Sequence, residues 1–188
     1  MLSTVTAVTD VAAPIRVAYD RWTQFEDFPD FMRSVNSIEH IDDRTLRWDV
    51  QVGGTSRQFV AEIVDQVPDD HIEWTSLDEP LHHGRVDFEP IDADHTRVSL
   101  QMAWQPQSFI EKAGAAVAVD DAAVRRDLQN FKELVEQEGA TGAGWRGEIH
   151  ETDVLPPSDP SHGYGTVLEH PELGDPTDPD SPSHPGIR

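Results

Sequence analysis

The chain of 188 residues has no cysteine, which removes disulfides, thiolate metal sites and a cysteine nucleophile together. Positive charge is also scarce. Fourteen Lys and Arg, of which only Lys112 and Lys132 are Lys, stand against 36 Asp and Glu, for a net charge of −22. A surface of that sign repels phosphate backbones and anionic headgroups, so no nucleic-acid partner is expected. No run approaches the roughly 18 apolar residues that a membrane span requires. Residues 1–10 show neither the basic nor the apolar part of a signal peptide. A cytoplasmic location is therefore the expectation, with the acidic surface serving solubility. The HExxH helix, the phosphate-cradling glycine loop and the nucleophile elbow are missing too. His82 and His83 are adjacent, hence on opposite faces of a strand, and the nine histidines are otherwise scattered. Neither a metal nor a cofactor is expected.

Composition changes near residue 139. From Glu151 to Arg188 there are eight prolines and eight acidic residues against one basic residue. Such a segment cannot bury enough apolar surface to offset its ordering entropy. The expectation is one folded domain over 1–150 and a disordered, acidic, Pro-rich tail over 151–188.

Within the first part the periodicities alternate cleanly. Thr4 to Val11 reads as a first strand. Pro14 opens a helix whose apolar face is Ile15, Ala18, Tyr19 and Trp22. Phe25 to Met32 predicts a break at Pro29 and a short second helix that packs Phe28, Phe31 and Met32 inward. Strand-like runs follow at Ser37–Ile41, Thr45–Val52, Arg57–Val67, His71–Ser76, His82–Glu89 and Arg97–Trp104, separated by turn residues such as Gly53-Gly54. A long helix then spans about Ser108–Glu138, with Ser108 as N-cap, Gly139 as stop, and one stripe through Ile110, Val117, Val124, Leu128, Phe131 and Val135.

That order, strand, two short helices, six strands and a long helix, resembles the helix-grip arrangement of the START-like (SRPBCC) superfamily. Ala18-Tyr-Asp-Arg-Trp-Thr-Gln-Phe-Glu-Asp-Phe-Pro-Asp-Phe-Met, Pro68-Asp-Asp-His-Ile-Glu-Trp-Thr-Ser, Gly84-Arg-Val-Asp-Phe-Glu-Pro and Asp127-Leu-Gln-Asn-Phe-Lys resemble segments of its polyketide cyclase/dehydrase family. The resemblance covers about Thr4 to Ile149. It implies an α+β fold in which a curved, antiparallel, seven-stranded sheet wraps a long C-terminal helix, and relatives that are cyclases, quinone-binding proteins or proteins of no assigned role.

Strand alternation assigns the concave face independently. Trp48, Phe59, Trp74, Ser76, His82, Val86, Phe88, Met102 and Trp104 point inward, as do Trp22 and Val117 from the helices. Tryptophans at such positions either fill a core or wall a cavity. With Phe28, Phe31 and Met32, these residues are the candidate ligand wall. Inward polar residues are few: Arg57, Ser76, His82 and, on the helix stripe, Asp121. Asp121 either pairs with Arg125 on the surface or faces the cavity and meets Arg57 or a ligand.

A binding module for a small hydrophobic molecule, such as a polyketide, quinone or lipid-like compound, fits this pattern first. The resemblance implies an alternative, an aromatic polyketide cyclase or dehydratase. Arg57 would then polarise a carbonyl, and Asp121 or His82 would accept a proton. A third expectation is a protein-interaction module using the acidic surface or tail.

Overall fold

The computed structural model describes residues 3–52, 55–78, 82–104, 121–139 and 144–158. Ile110, Val117 and the expected cap at Ser108 lie outside the described residues, as does the tail beyond Ser158.

Seven strands form one antiparallel path, β1 (Ser3–Val11), β2 (Val35–His40), β3 (Thr45–Val52), β4 (Thr55–Val67), β5 (His71–Ser76), β6 (His82–Pro90) and β7 (Thr96–Trp104). They run in the order β1-β7-β6-β5-β4-β3-β2, a meander closed by the return of β1 to β7. Two short strands that the sequence did not announce, β8 (Glu148–His150) and β9 (Asp153–Leu155), bring the sheet to nine. They extend the paired region past residue 150. β8 pairs with Asp65 and Gln66 of β4, beyond a register shift between Ile63 and Asp65. A second shift, between Val35 and Ser37, lets Val35 and Ile38 both be buried although three residues apart. Extra residues of this kind bend a strand and increase its twist.

Helix α1 (Ile15–Trp22) buries Ala18, Tyr19 and Trp22, as its spacing predicts. Pro29 does not break the next element. Phe25–Asp30 is a single 310 helix that contains it. The fixed proline φ suits that geometry. Phe28, Phe31 and Met32 are buried, as expected. Helix α2 (Asp121–Glu138) lies along β1, with Val124, Leu128, Phe131 and Val135 inward. Polar contacts tie its middle and its C-terminal end: Asn130 Nδ2 donates to the carbonyl of Phe31 at 3.0 Å, and Ala12 N–H donates to Glu136 Oε1 at 2.8 Å.

Residues 144–146 pack against α1 and Thr23. Trp145 is 2% exposed, and its backbone N–H donates to Thr23 Oγ1 at 3.1 Å. Arg146 lies over the Tyr19 ring and bridges Asp20 and Asp69. Gly144 makes this approach feasible, because a Cβ there would stand 2.5 Å from the Asp20 backbone.

Gly84 does the same for the concave face. It pairs with Trp74 across β5 and β6, and an added Cβ would fall 2.2 Å from the Trp74 ring. The indole therefore lies flat over the glycine. Gly84→Ala is expected to destabilise the domain by about 1–3 kcal/mol, the usual range for overpacking a dense interior. A urea melt indistinguishable from the parent chain would contradict that seating of Trp74.

Candidate functional site

Side-chain alternation gives the sheet one dry face, and α2 covers part of it. Between them lies a cavity of about 130 Å³. The sheet contributes Trp48 and Val50 from β3, Phe59 from β4, His82 from β6, and Leu100 and Met102 from β7. Helix α2 adds Ala123, Val124 and Asp127 one turn apart, and Met32, Ser34 and Val35 close the side next to β2. Most of this wall is hydrocarbon or sulfur, which suits an apolar ligand.

His82 is its most informative polar group. The ring is surrounded by Phe59 at 5.6 Å, Trp48 at 6.2 Å and Trp74 at 6.4 Å between centroids. Part of the residue is exposed, but Nδ1 is shut from solvent and has no hydrogen-bond partner. Burial, with a smaller contribution from His83, pushes the imidazole pKa down to about 4, so the ring is neutral at physiological pH. Ser76 fixes where the strand starts: it is buried, and its Oγ accepts the backbone N–H of His82 at 2.8 Å. Trp48 stacks on Phe59, and its own indole N–H is buried without an acceptor.

Asp127 was not among the candidates. Burial raises its carboxyl above the usual carboxylate range, and its Oδ1 accepts the Arg33 backbone N–H at a long 3.5 Å. Three residues after Val124 and one before Leu128, it stands at the border of the apolar stripe. That position was the available signal.

Of the expected ligand wall, Met32, Trp48, Phe59 and Met102 meet at the cavity, where the catalytic candidate His82 also lies. Trp22, Phe28, Phe31, Trp74, Val86 and Phe88 are buried in the core and do not line it. Five of these six are aromatic, and their rings fill the space they face. Trp22 touches Phe28, Phe31, Phe88 and Phe131. Arg57 pairs with Val50 in the ladder but does not line the cavity, and its Nε is buried without a partner. The side chains of Trp104 and Asp121, and all of Val117, lie outside the described residues. Val50 and Leu100 follow from the same alternation that found their neighbours. No cluster of three His, Asp or Glu among the described residues is placed to hold a metal ion.

Residues 11–133 match the model of the family described as polyketide cyclase / dehydrase and lipid transport. The chain belongs to that family. The chain is also similar to an uncharacterized 17.2 kDa protein of Streptomyces lincolnensis, 39% identical over 149 residues, which are 79% of this chain and 99% of that one. A START superfamily protein from Mycobacterium smegmatis has the same fold at a TM-score of 0.53 and 16% identity, over 71% of this chain and 94% of that one. The Zhui aromatase/cyclase of a Streptomyces species matches with a TM-score of 0.58 and 16% identity, over 72% of this chain and 96% of that one. At these identities the structural likeness concerns the helix-grip fold. No helix among the described residues is long and apolar enough to cross a membrane.

Proposed function

We propose that this polyketide cyclase/dehydrase-family chain holds a small hydrophobic, aromatic molecule, of the polyketide, quinone or lipid-like kind, in the cavity between its sheet and α2, and does so in the cytoplasm. The observation that carries the proposal is a space of about 130 Å³ among the described residues, walled by Trp48, Phe59, Met102 and Val124. Interiors are ordinarily packed to the density of organic crystals, and a void of this size forfeits contacts that a ligand restores. A ligand that binds the folded state alone stabilises it by mass action, by about 2.7 kcal/mol at a hundred times its dissociation constant. Naphthoquinones and naphthols in excess are therefore expected to raise the melting temperature by several degrees. Melting curves unmoved across such a panel would contradict the proposal.

A second reading, cyclisation or dehydration of a polyketide, is favoured by one specific observation. His82 and Asp127 share one cavity, the imidazole kept neutral and the carboxyl raised by burial. Groups with their pKa values displaced in this way suit proton transfer to and from a bound ligand. In this reading His82 keeps the acceptor role expected from the sequence, and Asp127 takes the place beside it.

A further inference from the structure

Away from the cavity, His71 of β5 and His150 of β8 share one carboxylate. Asp65 Oδ2 lies 2.9 Å from His71 Nε2, and Asp65 Oδ1 lies 2.9 Å from His150 Nδ1. The outer nitrogens are engaged too. His71 Nδ1 is 2.5 Å from Asp70 Oδ1, and His150 Nε2 is 3.2 Å from Glu148 Oε2. An ionised carboxylate only accepts, and a neutral imidazole has a single N–H to give. A ring that serves two carboxylates therefore carries both protons and a positive charge. His95, by contrast, meets the one carboxylate of Asp92 through Nδ1, which a neutral ring can do.

This row of five groups crosses a seam in the fold. Asp65 sits just past the register shift in β4, where β8 joins the sheet. The joining strand has three residues, and its buried anchors are Ile149 and, ahead of it, Trp145. Residues 144–155 lie outside the family match of 11–133. From β6, Asp87 stands opposite His71, with Arg85 bridging Asp87 and Glu73. From β9, Asp153 stands opposite His150. Arg44, in the turn between β2 and β3, pairs with Glu62 and donates to the Glu151 carbonyl, and Arg146 is held by Asp20 and Asp69. Carboxylates outnumber arginines in this set, which favours the charged imidazole. Glu148 first and Asp65 second hold His150 above the ordinary histidine range. Against the penalty of burial, His71 and His150 hold the Asp65 carboxyl below its usual range.

We propose that Asp70, His71, Asp65, His150 and Glu148 form a proton-operated clasp, which holds residues 144–155 on β4 while both rings are charged and loosens them when mildly alkaline solution discharges the rings. A histidine stabilised in its charged form contributes fully below the ordinary histidine value and loses that contribution as pH rises through the raised one. Native-state hydrogen exchange of the full chain, corrected for the intrinsic rate at each pH, reads the loosening. Protection over residues 147–155 is expected to fall about tenfold between about pH 6.5 and pH 8.5, the combined worth of several weak exposed pairs, while β3 keeps its own. In His71→Gln/His150→Gln, neutral at every pH, protection is expected to be low and the same at both values. In His150→Lys, charged at both, most of the protection at the alkaline value is expected to return. Equal protection at the two values in the parent chain overturns the proposal without recourse to any variant. So does the same fall in the folded double glutamine variant, which would assign it to another group.

Discussion

Trp22→Ala is expected to lower the unfolding free energy by about 3–5 kcal/mol, the range for removing a large aromatic from a packed core. The residue is 0% exposed, and Phe131, Phe28, Phe31 and Phe88 stand at 4.7, 5.6, 5.8 and 6.2 Å from its ring, most of them edge-on. These neighbours come from the 310 helix and the residue that follows it, β6 and α2, so the indole is where the helical layer and the sheet meet. Their rings cannot all collapse into the vacated volume, because each is held by its own element. Domains of this size are stable by about 5–15 kcal/mol, so the variant keeps only a fraction of the margin. A denaturant melt reads the loss as a shifted midpoint. A cost below about 1.5 kcal/mol would show that this cluster is not the centre of the core.

Acid should weaken the fold through His82. Its folded pKa of about 4 lies below the value of about 6.5 for a histidine in an unfolded chain. Between those two values the unfolded chain binds a proton that the folded chain refuses. Stability therefore falls as pH drops through this window, by about 3 kcal/mol on reaching pH 4. Carboxylates held below their usual range, among them Glu26 and Asp65, add losses of the same sign at still lower pH. His82→Phe keeps an aromatic ring among Trp48, Phe59 and Trp74 and removes the titration. The difference in stability between the parent chain and His82→Phe, followed from pH 7 to pH 4, isolates the histidine. A difference that stays constant over that range would mean that the imidazole is solvated and free to charge.

The strands were legible because a half-buried sheet writes its alternation into the sequence: Trp48 to Val52, Phe59 to Ile63 and Val98 to Met102 each name their inward face. Alternation tells which side a residue points to. It does not tell whether the space in front is full. Trp74 and Trp48 follow the same pattern on the two strands that flank β4, yet one is seated over Gly84 and the other borders a void. Arg57 fails for the same reason. It is on the inward face, but the cavity ends at Val50 and Phe59, and nothing in the alternation marks that limit. Asp127 was hidden by its charge, which reads as a solvated helix face until the opposing wall is known. Trp145 was hidden by its glycine-rich flanks, which suggest a loop. Gly144 serves instead to bring the chain onto Asp20 and seat the indole. Pro29 signals a break because proline interrupts an α-helix, whereas the tighter 310 turn accommodates it.

The claim that this cavity is the binding site is tested most directly by filling it from the protein side. Ala123 lines the cavity from α2. Ala123→Trp should place an indole where the ligand would lie. Tryptophan fluorescence of the parent chain titrated with a naphthoquinone should be quenched to saturation, since Trp48 borders the site. The filled variant, folded by circular dichroism, should lose that saturable quenching, with affinity down by a hundredfold or more. Saturable quenching of equal strength in both chains would place the ligand elsewhere and contradict the account.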